Sequence, residues 1–295
     1  MLSRPPFAVV DSLSPSQVAA ELEACFAKLG ERRDRLEHAH ALVSRSIGLP
    51  ETHPLVAAGR AIARDIDRGV GAGVAAGYHN AQHFLEVMLT ALYLARLARL
   101  DARRTARVVT AALMHDFHHD GSRGTLAPFR LERLALRHAQ PYLDAAGVAD
   151  DECQRLQALV LATDPSTGVP FARACWAQRL VSSPTIARVE SLPQELERLR
   201  REPDLAQEAV LLAEADVLPS IGLTVEHAEH LHARLAAEWA TVLDCKDKLK
   251  FVDRMIGEIS VASFFIPNIR AVRRTYAGAA APGRVKSKVS RGRNA

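Results

Sequence analysis

The sequence predicts an all-α protein, a compact multi-helix bundle with a helical extension at its N-terminal end. Three observations carry that prediction. Alanine, leucine and arginine dominate the chain, and all three are good helix formers. Alternating runs of β-branched residues, the mark of half-buried strands, are scarce. Several apolar stretches also run far past strand length. Between Phe84 and Leu100 the only charged residues are Glu86, Arg96 and Arg99.

Taken in order, Ser14–Ile47 reads as one or two amphipathic helices. The charge-rich segment around Glu31–Arg45 is their solvated face. Residues Gly48–Pro54 break the pattern, and a helix over Leu55–Arg68 follows. The glycine-rich run Gly69–Gly77 breaks it again. No strand precedes that run and no Gly-Lys-Ser/Thr follows, so it is neither a dinucleotide fingerprint nor a phosphate loop. It reads as a flexible connection. Asn80 is a suitable N-cap for a helix to Leu100, and its sparse charge predicts burial on most sides. Asp101 caps the next helix, whose second half, Val108–Met114, carries no charge. Further helices are expected at Phe129–Ala146, Asp151–Ala162, Leu205–Leu218, Val225–Ala240 and Cys245–Phe265.

Composition bounds the function. With 295 residues and 48% apolar content the chain can bury a large core without disulfides. Cys25, Cys153, Cys175 and Cys245 stand far apart with no CxxC pair, which fits reduced thiols and a cytoplasmic location. The start lacks a secretory apolar run, and no stretch has the length of a membrane span. The net charge is +4. It concentrates in Arg270, Arg273, Arg274, Arg284, Lys286, Lys288, Arg291 and Arg293, with no acid between Arg270 and the end. The pI of 9.0 therefore describes a tail. Such a tail admits contact with nucleic acid or an anionic membrane. A disordered solubilising tail, from about Ala277, is the simpler reading, so no nucleic-acid partner is expected.

The chemistry concentrates in a few places. His79 and His83 are one helical turn apart, a spacing that serves a structural role as readily as a metal. His115 and Asp116 follow the uncharged half of a helix, where burial without partners is costly. A metal supplies such a partner, and an imidazole with a carboxylate suits Mn, Fe, Zn, or Mg with waters. Asp216 shares a helical stripe with Leu205, Ala209 and Leu212, so it too faces the core. Glu208 and Glu214 lie off that stripe and read as surface charges. His118, His227, His230 and His232 read as surface residues, and Trp176 and Trp239 as packing residues.

These residues resemble the HD-domain metallophosphohydrolases, in particular their class I cyclic nucleotide phosphodiesterase branch. The matching pieces are Tyr78-His79-Asn80 with His83, then His115-Asp116 with His119 and Gly121, then Leu161–Asp164, and finally Ala215-Asp216. They stand in the family's order and cover about residues 76–265. The resemblance implies a catalytic domain over 76–270, an N-terminal extension over 1–75 and a basic tail over 271–295.

It also implies roles. His83, His115, Asp116 and Asp216 would hold a tight cation, Zn, Fe or Mn. Asp116 would bridge to a second, labile cation, Mg or Mn, held otherwise mainly by water. A water shared by the pair would yield the hydroxide nucleophile. His79 would be the general acid. His119 and Asp164 would orient bound water. Glu132 would polarise the proton-donating histidine or order waters at the second metal. Tyr78 and Asp164 would border the substrate, and Phe251 would stack on the base.

The resemblance thins in two places. Lys248 stands where the family's base-binding glutamine is expected. A lysine donates only, to a purine O6 or N7 or to an extra phosphate. The segment after the HD motif lacks the family's paired histidines. The implied activity is hydrolysis of a 3′,5′-cyclic nucleotide, cyclic AMP or cyclic GMP, to the 5′-monophosphate, with a small-molecule nucleotide as partner. Two rivals stand beside it: a phosphohydrolase acting on a nucleoside monophosphate or an alarmone, and a non-catalytic nucleotide-sensing protein. Nothing in these motifs sets an oligomeric state.

Overall fold

A computed structural model describes residues 13–73, 77–122, 127–180 and 192–280. Among them are α-helices, two short 3₁₀ turns and no strand. The Ser14–Ile47 region is two helices, α1 (Pro15–Gly30) and α2 (Arg35–Ile47). Ser14 opens α1 through a reciprocal capping pair with Gln17, and Gly48, at φ 76°, closes α2. Next come α3 (Pro54–Asp67), α4 (Ala81–Leu97) and α5 (Ala102–Met114), then α6 (Arg130–Ala145) and α7 (Asp150–Leu161). The helix α8 (Gly168–Leu180) has no counterpart in the sequence reading, nor has the single turn α9 (Arg198–Arg201). The chain ends its described part with α10 (Pro203–Ile221), α11 (Val225–Glu238), α12 (Cys245–Glu258) and α13 (Ile266–Ala280).

Two helices form the centre. Every residue of α4 from His83 to Ala95 is buried, and so is nearly all of α10. They pack on each other, α4 also on α5, and α10 also on α8. Leu22, Phe26, Leu36 and Ile62 from the first three helices join Phe84, Leu85 and Met88 of α4 in one buried cluster.

Encirclement of α10 corrects the reading of its acids. Glu208 and Glu214 are both fully buried. Glu208 takes Arg104 Nε at 2.6 Å and Arg107 Nη1 at 2.7 Å, and Arg107 also pairs with Glu152. Glu214 accepts from the backbone N–H groups of Ser260 and Ala262 and from Ser260 Oγ. That interaction anchors the bend after α12, so the expected Cys245–Phe265 helix stops at Glu258.

The basic tail needs a correction too. The helix α13 continues through residue 271 to Ala280. Ile269, Val272 and Tyr276 form its buried stripe, while Arg270 and Arg274 point to solvent. An apolar period ran beneath the run of charge. Residues 281–295 lie outside the described residues. No helix described is long and apolar enough to cross a membrane.

Candidate metal centre

The central helices converge on one cluster. Asn80 caps α4 by accepting from the N–H groups of Gln82 and His83, so α4 begins at Ala81. His79 therefore precedes the helix and does not share a helical face with His83. The chain turns it back instead, and the two rings lie 5.6 Å apart. His83 sits in the first turn of α4. His115 and Asp116 leave the C-terminal end of α5, and Asp216 projects from α10.

One ligand atom from each of His83, His115, Asp116 and Asp216 lies within 4.8 Å of all the others. His83 Nε2 is 3.2 Å from Asp116 Oδ2 and 3.3 Å from Asp216 Oδ1. The two Nε2 atoms of His83 and His115 approach to 3.3 Å. His115 Nδ1 donates to the Ala112 carbonyl at 2.9 Å, which turns the Nε2 lone pair toward the cluster. Burial opposes a charged imidazole at His83, yet the Asp116 and Asp216 carboxylates outweigh it and lift its pKa to about 9. His115 is lifted in the same way, against its burial. Burial would raise the Asp116 and Asp216 carboxyls, but the facing imidazoles hold both low. Two imidazoles facing two carboxylates in a buried space attract positive charge. Protons or a divalent cation can supply it, and the donor set of two nitrogens and two oxygens fits a cation such as Zn, Fe or Mn.

A second group adjoins the first through Asp116. Ligand atoms of His79, Asp116 and His119 lie within 4.8 Å of one another. The rings of His79 and His119 stack at 3.6 Å, and His79 Nε2 is 3.8 Å from Asp116 Oδ2.

His79 has a carboxylate behind it that the sequence reading did not single out. Its Nδ1 donates to Glu238 Oε1 at 2.5 Å, and Glu238 Oε2 accepts from the N–H groups of Tyr78 and His79. Burial works to raise Glu238, but these donors outweigh it and keep the carboxyl below its usual range. The acid on His79 is thus Glu238 and not Glu132. Glu238 closes α11, where the helix dipole disfavours an acid. That misplacement was the one sequence signal that it had a partner elsewhere.

Glu132 lines the same cavity as the cluster. Burial, then the nearby Asp164 and Asp116 carboxylates, push its pKa up to about 7. Asp164 also lines the cavity. Its carboxylate takes the N–H groups of Phe129, Ser166 and Thr167 and the Ser166 hydroxyl, so it ties the start of α6 to the turn before α8. Tyr78 bonds Ser220 through its hydroxyl at 3.0 Å.

Glycines make this convergence possible. A Cβ on Gly73 would lie 2.2 Å from the His79 carbonyl oxygen, and one on Gly71, at φ +69°, would strike Phe117. Gly73 N–H donates to the His79 carbonyl and the Gly71 carbonyl accepts from His118 N–H. The described part of the glycine run is therefore a close-packed crossing rather than a slack connection. Residues 74–76 lie outside the described residues.

Two cavities meet at the centre. One, of about 220 Å³, holds Asp116, Asp216, His79, His119, Glu132 and Asp164 in its walls. The other, of about 280 Å³, is mainly apolar. Tyr78, His79, Val217, Trp239 and Phe251 border both. Trp239 stands at the junction of the two. Lys248 faces the apolar cavity alone, its ammonium 2.5 Å from Glu229. His232 faces it too, buried, with Nδ1 3.0 Å from the Tyr276 hydroxyl, and His227 bonds Glu86 at 3.0 Å. Neither histidine is the surface residue that the sequence suggested.

No protein-family model matches the chain, and no curated protein matches it. Solved structures do match. One is LmjPDEB1 in complex with IBMX, at 15% identity and TM-score 0.60, over 90% of this chain and 91% of that one. Another is the phosphodiesterase domain of the RhoPDE fusion protein from the choanoflagellate Salpingoeca rosetta. It has 19% identity and TM-score 0.58, over 94% and 95%. A third is the phosphodiesterase domain of the Salpingoeca rosetta rhodopsin phosphodiesterase, at 17% identity and TM-score 0.57, over 93% and 91%. This chain has the all-helical fold of those domains over nearly its whole length.

Proposed function

We propose that this chain is a metal-dependent phosphodiesterase that hydrolyses 3′,5′-cyclic nucleotides, cyclic AMP or cyclic GMP, to nucleoside 5′-monophosphates. The observation that carries this reading is the placement of His79. It lies between a four-ligand cation cluster and a dedicated carboxylate, on a fold shared with phosphodiesterase domains. His83, His115, Asp116 and Asp216 would hold a tight cation, and Asp116 a second, labile one. Divalent cations bound there supply Lewis acidity and a water of lowered pKa.

The chain's own residues do the rest. His79 protonates the departing 3′ oxygen from Nε2. The bond from Nδ1 to Glu238 fixes the ring so that Nε2 faces the leaving oxygen. His119 stacks on His79 and limits its rotation. Glu132 polarises water at the cavity wall, and Asp164 holds the turn that borders it. The sugar and base extend into the apolar cavity, where Phe251 offers a ring face and Lys248 a donor for a purine acceptor.

The test is to strip the protein of metal, restore Mn²⁺ or Mg²⁺, and follow hydrolysis of cyclic AMP, cyclic GMP, 2′,3′-cyclic nucleotides, nucleoside monophosphates and a guanosine tetraphosphate. Asp116→Ala serves as the control. Metal-dependent cleavage of a 3′,5′-cyclic nucleotide that the control lacks supports the reading. Cleavage of the other substrates alone moves the activity elsewhere among phosphohydrolases. Metal binding without turnover of any substrate supports a sensor.

A further inference from the structure

The cavity that holds the cluster has a second charged region on its α8 and α12 walls. The residues there are Val169, Arg173, Phe251, Arg254 and Met255, with no acid among them. Arg173 and Arg254 share one counter-ion, Glu258. Arg173 Nη1 donates to Glu258 Oε2, and Arg254 Nε lies 3.6 Å from Oε1. Glu258 does not line the cavity. It fixes Arg173 from behind and lies beside the half-exposed Arg254.

Glu214, the other carboxylate acting on Arg173, is itself held by Ser260 and Ala262. The hydrogen bonds do not balance. Arg173 Nε is buried and has no hydrogen-bond partner among the described residues. Buried donors are rarely left unmade. A guanidinium pair that turns N–H groups to a cavity, one of the two fixed by an acid behind it, is suited to a planar or tetrahedral oxyanion. The reacting phosphate is already assigned to the cation cluster, so these donors await a different anion.

We propose that Arg173 and Arg254 form an anion subsite beside the metal centre that takes a second phosphate on the nucleotide. This rests on the phosphodiesterase reading and deepens it. Among nucleotides that reach the cluster, the site favours those with a further phosphate over those with one.

The subsite is tested by calorimetric binding to the Mn²⁺-loaded protein, apart from turnover. The probes are AMP, ADP and adenosine 3′,5′-bisphosphate. The better of the two doubly phosphorylated probes is expected to bind about tenfold tighter than AMP, roughly the yield of one charge-assisted hydrogen bond. That ratio falls to about one in Arg173→Gln and in Arg254→Gln, and Arg173→Lys, which keeps the charge, retains part of it. A ratio near one in the unaltered protein overturns the subsite, as does a ratio that survives both glutamine substitutions. Recovery of the same gain by AMP with free inorganic phosphate overturns its assignment to the nucleotide. Cyclic nucleotide hydrolysis is scored separately. An arginine-dependent ratio without that hydrolysis leaves the subsite standing and removes the reading of the reaction.

Discussion

Glu238 and His79 are joined by a 2.5 Å hydrogen bond from Nδ1 to Oε1, although 159 positions separate them in the chain. The bond decides which ring nitrogen faces the cluster of His83, His115, Asp116 and Asp216, and the backbone N–H groups of Tyr78 and His79 lock the same carboxylate. Glu238→Gln keeps the shape but removes the carboxylate that accepts from Nδ1. The expected result is a fall in kcat of about 100-fold with little change in KM. An unchanged kcat would count against the role given to His79.

Gly73 is the second point at which the backbone sets the site. An alanine there would put its Cβ 2.2 Å from the His79 carbonyl oxygen, an atom that cannot swing aside like a side-chain tip. Gly73→Ala should displace His79 and lower kcat by about 10- to 100-fold, with retained metal content, since misplacements of about 1 Å cost on that scale. Elemental analysis of the variant beside its kinetics checks this.

Stability should fall toward acid through His40. Burial, aided by Arg60, holds its pKa at about 4, below the ordinary 6.5. The folded chain keeps His40 neutral over that interval while the unfolded chain binds a proton. The contribution is thus present above about pH 6.5 and is lost as pH falls toward 4. The loss from this residue alone approaches about 2 kcal/mol near pH 4.5. Urea unfolding at pH 7 and near pH 4.5 measures it, and His40→Gln should flatten the dependence. An equal slope in the variant would assign the loss to other groups.

Lys248 bears on selectivity rather than on chemistry. Its ammonium is pinned by Glu229 on the apolar cavity and does not line the cavity of the cluster. Lys248→Gln should shift the ratio of kcat/KM for cyclic GMP over cyclic AMP by about tenfold, because glutamine also accepts and so admits the adenine amino group. A uniform loss on both nucleotides would show that the residue only supports the wall.

Much of this protein was legible in its sequence because helical period and cap chemistry are local. The apolar length of α4, its Asn80 cap and the uncharged run into His115-Asp116 needed no tertiary knowledge. The motif order around His79, His83, Asp116 and Asp216 marked a set of candidate ligands that the fold brings together. Counting charge misled where period should have governed. The α13 stripe of Ile269, Val272 and Tyr276 lay under arginines, and Glu208 and Glu214 looked solvent-facing on a helix that is enclosed on all sides. No local rule gives the partner of such a group. Glu238 on His79, Glu258 behind Arg173 and Arg254, and Glu229 on Lys248 are pairings across helices. Local sequence determines which residues face inward. Which charges meet there depends on how the helices cross, and packing of the whole core decides that.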